Sequence, residues 1–205
     1  MIHLPHKTSN SLDNQSMLEN TTTQSGRYNF VHLIFIFLIA LICAFTVRFF
    51  IAEPFRVPTG SMEQTIMPGD LILAEKLSIN FGSGPHTGDV VTFHNPDASS
   101  NHGMLIKRVV ATQGQIVDLI DGNLFVDGEK IDEPYIQGES WPLASSMPGV
   151  TITFPYTVPE GYLWCMGDNR ENSADSRFFG PVPCDLVTAH AVFCYWPINH
   201  VGLIK

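Results

Sequence analysis

Met104-Leu105-Ile106-Lys107-Arg108-Val109-Val110-Ala111 is the stretch on which the fold turns. Read as a strand, it puts Lys107 on one face with Leu105 and Val109, and Arg108 on the other with Ile106 and Val110. Both faces are apolar, so at least one of the two cations is surrounded by apolar groups. Burial disfavours a charged amine. An amine pushed from its ordinary range towards neutrality gives up about 4 kcal/mol of charged-state solvation. In that state Lys107 can accept a proton from a neighbouring group, whereas Arg108 stays protonated. The alternative is a surface lysine that snorkels its amine to water, and the strand pattern leaves both open.

Working outward, the pattern stays β. Leu71 to Ala74 and Val90 to Phe93 are short apolar runs bounded by Gly-Asp pairs. Ile116 to Ile120, Leu124 to Val126, Thr151 to Phe154, Tyr162 to Met166 and Ala189 to Trp196 alternate or cluster as strands do. Asp121-Gly122-Asn123 reads as a hairpin turn, and Asp127-Gly128 is a second turn signal. The segment from Glu133 to Pro159 is rich in Pro, Gly and Ser and reads as a long loop with one strand. The expected fold class is mostly β, an antiparallel sheet with a small β insert.

Ahead of the β region, Phe30 to Val47 carries no formal charge, and only His32 and Thr46 are polar. As a helix this run spans ~27 Å, close to the hydrocarbon thickness. Phe49, Phe50 and Ile51 suit an interfacial collar, so residues 30–51 are expected to form a single transmembrane anchor. The run exceeds the usual length of a cleaved signal peptide's apolar region. Lys7 and Arg27 precede it and Arg48 and Arg56 follow, so charge does not orient it. Residues 1–29 are polar and without apolar period, and read as a poorly ordered tail. A net charge of -9 argues against a nucleic-acid partner. Cys43, Cys165, Cys184 and Cys194 show no C-x-x-C spacing, so a zinc site is not expected. With Cys43 in the apolar run, the three others allow at most one disulfide, and the sequence does not choose the pair.

Pro58-Thr59-Gly60-Ser61-Met62 follows a short alternating segment, Phe55-Arg56-Val57, and puts Ser61 where the chain bends. Gly60 permits unusual backbone angles there. A lone serine in a turn is ordinary unless something activates it. His86, His94, His102, His190 and His200 carry no motif that singles one out, and no H-x-x-x-H occurs. A Ser-His-Asp triad is therefore open but unsupported, and a buried Lys107 is the other candidate base. Gly167 to Arg177 is a dense run of small polar residues after an apolar strand, in which Asp175 and Arg177 can pair as a carboxylate–guanidinium fork.

In this order, these motifs resemble the type I signal peptidases, serine proteases that remove signal peptides from exported proteins. The matching stretches are Glu53-Pro54-Phe55 with Val57 to Met62, Pro68-Gly69-Asp70, Gly88 to Val91, Ile106 to Val110 with Gly114, and Gly167 to Arg170 through Ser173 to Arg177 with Gly180. The resemblance implies Ser61 as nucleophile and Lys107 as general base. It implies an oxyanion hole from the Ser61 amide and the Thr59 hydroxyl, Ser173 orienting the Lys107 amine beside Gly167, and an Asp175–Arg177 salt bridge. Phe55, Val57, Met62, Leu105 and Ile106 are the expected pocket residues, taking small side chains at the first and third positions before the cut. The body is expected at 52–115 and 163–205, with 116–162 as the insert. No metal or organic cofactor is implied.

The resemblance further implies a bacterial inner-membrane protein with its catalytic domain outside the cytoplasm. Its partners would be signal peptides of preproteins, the lipid bilayer and, indirectly, the export machinery. Two departures stand out. Leu105 occupies a position that is often Tyr in the family, and the insert is short beside that of the larger members. Competing readings are a dedicated processing protease of the pilin or conjugation type, and a non-catalytic anchored domain that binds peptides. The pairing of Ser61 with Lys107 speaks against the last.

Overall fold

The computed structural model describes residues 30–82 and 84–205. The expected tail at 1–29 lies outside them. The chain forms two compact units, one running to Val47 and one from Arg48 to Lys205. The first is helical where it is described. Helix α1, Phe30–Ile51, continues into the second unit and has no Gly or Pro to interrupt it. Its 22 residues make it ~33 Å long, enough to cross a bilayer core of ~30 Å.

The second unit is built on two antiparallel sheets. The larger holds β1 (Ala52–Arg56), β2 (Leu71–Glu75), β3 (Val90–His94), β4 (Met104–Thr112), β9 (Tyr162–Met166), β10 (Val182–Pro183), β11 (Val187–Trp196) and β12 (Gly202–Leu203). Their order is β1-β2-β11-β3-β4-β9-β10, with β12 alongside β11. Pro54 lies in β1, an edge strand, where a missing N–H is tolerated. The smaller sheet runs β7-β6-β5-β8 and uses β5 (Ile116–Ile120), β6 (Asn123–Val126), β7 (Glu129–Lys130) and β8 (Tyr156–Thr157). Asp121 and Gly122 have φ of 49° and 76°, and Asp127 and Gly128 have 54° and 82°. Both pairs are therefore two-residue turns with two positive φ values, the geometry that matches strand twist. Two short helices, α2 (Leu77–Phe81) and α3 (Ser176–Phe179), complete the described elements used below.

The core explains the burial of β4. Ile106 joins Val57, Met62, Ile66, Ile72 and Val90 in one cluster. Val109 joins Val91, Phe93, Leu163 and Cys165 in a second, and Val110 and Ala111 join Val117, Leu124 and Trp164 in a third. A strand with neighbours on both edges and apolar clusters on both faces has no route to water for its central side chains.

One expectation needs correcting: Thr151 to Phe154 forms no strand. Ile152 and Phe154 still turn into the core, and Phe154 meets Trp164 edge-on at 5.8 Å, so the alternation is real but unpaired. Pro155 directly after it has no N–H to donate to a ladder. No disulfide forms, since Cys43, Cys165, Cys184 and Cys194 are all free.

Candidate active site

Ser61 heads a tight turn between β1 and β2. Its neighbours Met62 and Ile66 are fully buried, and the N–H groups of Thr65 and Ile66 both donate to the Met62 carbonyl. The apolar plugs fix the turn from below. Gly60 keeps a φ outside the left-handed region, contrary to expectation. What it supplies is room, because a Cβ there would press on the Glu63 carboxylate, its carboxyl carbon 2.7 Å away. Three further links tie the turn to the loop after β9. The Asn169 N–H donates to the Ser61 carbonyl at 3.1 Å, Asn169 Nδ2 to Glu63 at 2.9 Å, and the Thr65 hydroxyl to Asp168 at 2.5 Å.

Lys107 reaches this turn from the middle of β4. Its Nζ lies 2.6 Å from Ser61 Oγ and also donates to the Ile106 carbonyl at 2.9 Å. Lys107 is 2% exposed and Ser61 6%. Burial pushes the Lys107 amine down to about 8 from its ordinary 10.5, with Asp175, Cys165 and Asp168 pulling weakly the other way. A neutral amine at this distance accepts the serine proton along the same line, within the reach required of a general base. No histidine hydrogen-bonds Ser61 among the described residues. His190 sits between Glu75 and Asp89, and His200 pairs with Asp70 at 2.8 Å. Among the described residues no group of three or more His, Cys, Asp and Glu is arranged to hold a metal ion.

The loop from Gly167 to Arg177 is braced by buried arginine–carboxylate pairs. Arg177 binds Asp175 through two nitrogens, each at 2.9 Å, and caps the Arg170 carbonyl at 2.7 Å. Burial alone would raise the Asp175 carboxyl. The Arg177 hydrogen bonds and charge, with the Gly167 N–H, hold it below the usual carboxylate range. Two further pairs escaped the reading of the sequence. Arg108 grips Asp168 at 2.9 and 2.7 Å and stacks on Tyr135 at 3.9 Å. Arg170 grips Glu133 at 2.8 and 2.6 Å and reaches Ser140. Arg108 was recognisable as a buried cation, but nothing in the chain order names a carboxylate sixty residues on as its partner.

Ser173 does not meet the expectation attached to it. Its hydroxyl is buried beside the Asp175 carboxylate, which it helps to hold below the usual range, and makes no hydrogen bond to Lys107. The Ile106 carbonyl takes the second Lys107 hydrogen bond instead. Ser173 packs against Gly167, where a Cβ would lie 2.6 Å from the Ser173 Cβ and would strike the Ser61 carbonyl oxygen.

A cleft of about 200 Å³ opens over the Ser61–Lys107 pair. Exposed Thr59 lines it, with Leu105, Asn172, Ala174, Phe178 and Phe179. Of the five expected pocket residues, Leu105 alone is in this lining. Val57, Met62 and Ile106 are consumed by the core, at 1%, 0% and 3% exposure. Phe55 faces a different hollow with Ala74, Thr92 and Met104. Phe55 also packs against the core cluster that holds Val57, whose backbone pairs with Gly69 and Asp70 beyond β1.

Residues 30–196 match the family model described as signal peptidase, peptidase S26. A probable signal peptidase I of Synechocystis is 36% identical over 170 residues, covering 80% of this chain and 82% of that protein. A signal peptidase I of Leptolyngbya laminosa is 32% identical over 169 residues, covering 80% and 78%. A crystal structure of a signal peptidase I from Enterococcus faecalis aligns at 29% identity with a TM-score of 0.39, over 53% of this chain and 97% of that one.

Proposed function

Since the chain belongs to the signal peptidase family of peptidase S26, a family of serine peptidases, we propose that it removes the signal peptides of exported preproteins by Ser61–Lys107 catalysis. The observation that carries the chemistry is the 2.6 Å approach of a buried Lys107 amine to Ser61 Oγ. Neutral Lys107 takes the serine proton, and Ser61 attacks the scissile carbonyl. The oxyanion rests between the Ser61 amide and Thr59. Lys107 then protonates the leaving amine, and afterwards activates the water that hydrolyses the acyl-enzyme. The larger sheet is the catalytic body and 116–162 its insert. Helix α1 anchors the chain in the bacterial inner membrane with the β unit outside the cytoplasm.

The confined cleft beside Leu105 favours a small side chain at the position before the cut, and a second small residue two positions earlier. The test uses the full chain in detergent with a preprotein that carries Ala at both positions. The expected product ends at the nearer Ala, by mass of the released fragment, and Tyr at that position blocks the cut. An intact preprotein, or a cut indifferent to Tyr, would refute the reading.

Thr59→Val is expected to slow turnover by about 100-fold, the usual loss of one oxyanion donor. Thr59 is exposed, so the fold is kept, and Thr59→Ser retains most activity because the hydroxyl remains. Equal turnover in Thr59→Val and the parent would remove Thr59 from the mechanism.

A further inference from the structure

The cleft has a second wall that the proposed chemistry does not use. It comes from the loop joining β3 to β4 and contributes Asn95, Asp97, Ser100 and His102 to the lining that also holds the catalytic pair. This loop is clasped at its base. The Asn95 N–H donates to the Gly103 carbonyl at 3.0 Å, and Asn95 Nδ2 to the His102 carbonyl at 2.9 Å. Within it, Asp97 Oδ1 accepts both the N–H and the hydroxyl of Ser99, at 2.9 and 2.6 Å, while the Asp97 N–H donates to Asn95 Oδ1 at 2.9 Å. The carboxylate thus helps to hold the loop while it lines the cleft. The Ser99 hydrogen bonds also keep the Asp97 carboxyl below its usual range, so it is charged at neutral pH.

Asp97 is the one carboxylate in this lining, which also holds the apolar Leu105, Ala174, Phe178 and Phe179. A charge that lines the cleft acts on whatever occupies it.

Building on the peptidase reading above, we propose that Asp97, displayed by the clasped β3–β4 loop, is a specificity-determining residue that favours cationic over anionic side chains in the substrate segment flanking the scissile bond. The small residues satisfy the confined end of the cleft, and the charge of their neighbours is read by this wall. The effect is solvent-exposed Coulomb attraction, so it is modest and weakened by salt.

The experiment uses the full chain in detergent and a set of otherwise identical peptides, each with Lys or Glu at one position flanking the cut. In the parent, at least one position is expected to show a Lys-to-Glu ratio of kcat/KM of about three to five, shrinking towards one in 0.5 M salt. Asp97→Glu keeps the preference, Asp97→Asn abolishes it, and Asp97→Lys inverts it. A purely structural role for the loop would change both peptides alike and leave the ratio alone. Equal ratios in the parent and in Asp97→Lys at every position overturn the inference. Failure of the parent to cut any of the peptides would instead strike at the peptidase reading on which it rests.

Discussion

Lys107→Met is expected to lower kcat/KM by about 10⁴-fold or more, since base and nucleophile act as one unit. The same change is expected to make the protein more stable at neutral pH. Folded Lys107 holds its proton only below about 8, while the unfolded lysine holds it up to 10.5. Below pH 8 both states are protonated, and the folded one bears the full cost of a buried ammonium, about 3 kcal/mol. Between pH 8 and 10.5 the folded amine is neutral and the cost fades, and above 10.5 it is gone. Stability of the parent therefore rises with pH across that window. Methionine fills the same channel with no charge to bury, at the loss of the hydrogen bonds to Ser61 and to the Ile106 carbonyl, worth about 1 kcal/mol each. The net gain below pH 8 is about 1 kcal/mol, or roughly 3 °C in Tm. In the parent, kcat/KM should climb with pH to a plateau with its midpoint near 8, as the amine loses its proton. Thermal melts and pH–rate profiles of the two proteins check both halves. A parent whose rate is flat from pH 6 to 9, or a Lys107→Met protein with substantial turnover, would remove Lys107 as the base.

This opposition between stability and chemistry explains why one strand decides so much. β4 carries two cations into the core, and the fold treats them differently. Arg108 stays charged, so it is matched by a bidentate carboxylate, a carbonyl and an aromatic face. Lys107 is given only a hydroxyl and a carbonyl, so the easier course is to lose its proton.

The parts readable from the chain were those with local causes. β5 and β9 match the expected runs residue for residue, because alternation and a turn dipeptide fix them within a few positions. Helix α1 is fixed by length and the absence of breakers. Ser61 and Lys107 stand out by type, a serine at a bend and an amine in an apolar strand, and the fold brings them together. The illegible parts depend on distant pairing. Val57 and Met62 have the hydrophobicity of pocket walls, and only their contacts with Ile72 and Val90 reveal that they belong to the core. The links from Thr65 and Asn169 that hold the Ser61 turn cross more than a hundred residues. Ser173 lies beside Gly167, yet no hydrogen bond joins its hydroxyl to Lys107, a distinction that no pattern encodes.

Gly167→Ala is expected to cost about 10³-fold in kcat/KM together with about 1–3 kcal/mol of stability, the usual penalty of overpacking a rigid core. The glycine is required for space, since its φ lies outside the left-handed region. An alanine Cβ would meet the Ser61 carbonyl oxygen on one side and Ser173 on the other. The Ser61 carbonyl is held by the Asn169 N–H, and the Gly167 backbone that would carry the new Cβ is held by Asp175 and by Arg170, so neither of these can yield freely. Relief therefore comes by pushing the Ser61 turn away from β4, which lengthens the 2.6 Å gap to Lys107. A misplacement near 1 Å costs about 10²-fold, and loss of alignment with the oxyanion donors adds to it. A second variant separates the two contacts. Gly167→Ala with Ser173→Gly removes the clash with the serine side chain but leaves that with the Ser61 carbonyl. The double variant should thus recover part of the lost stability in thermal melts while turnover stays depressed. Full recovery of turnover would put the effect at Ser173 alone, and a Gly167→Ala single variant within tenfold of the parent would mean that the Ser61 carbonyl is not confined at all.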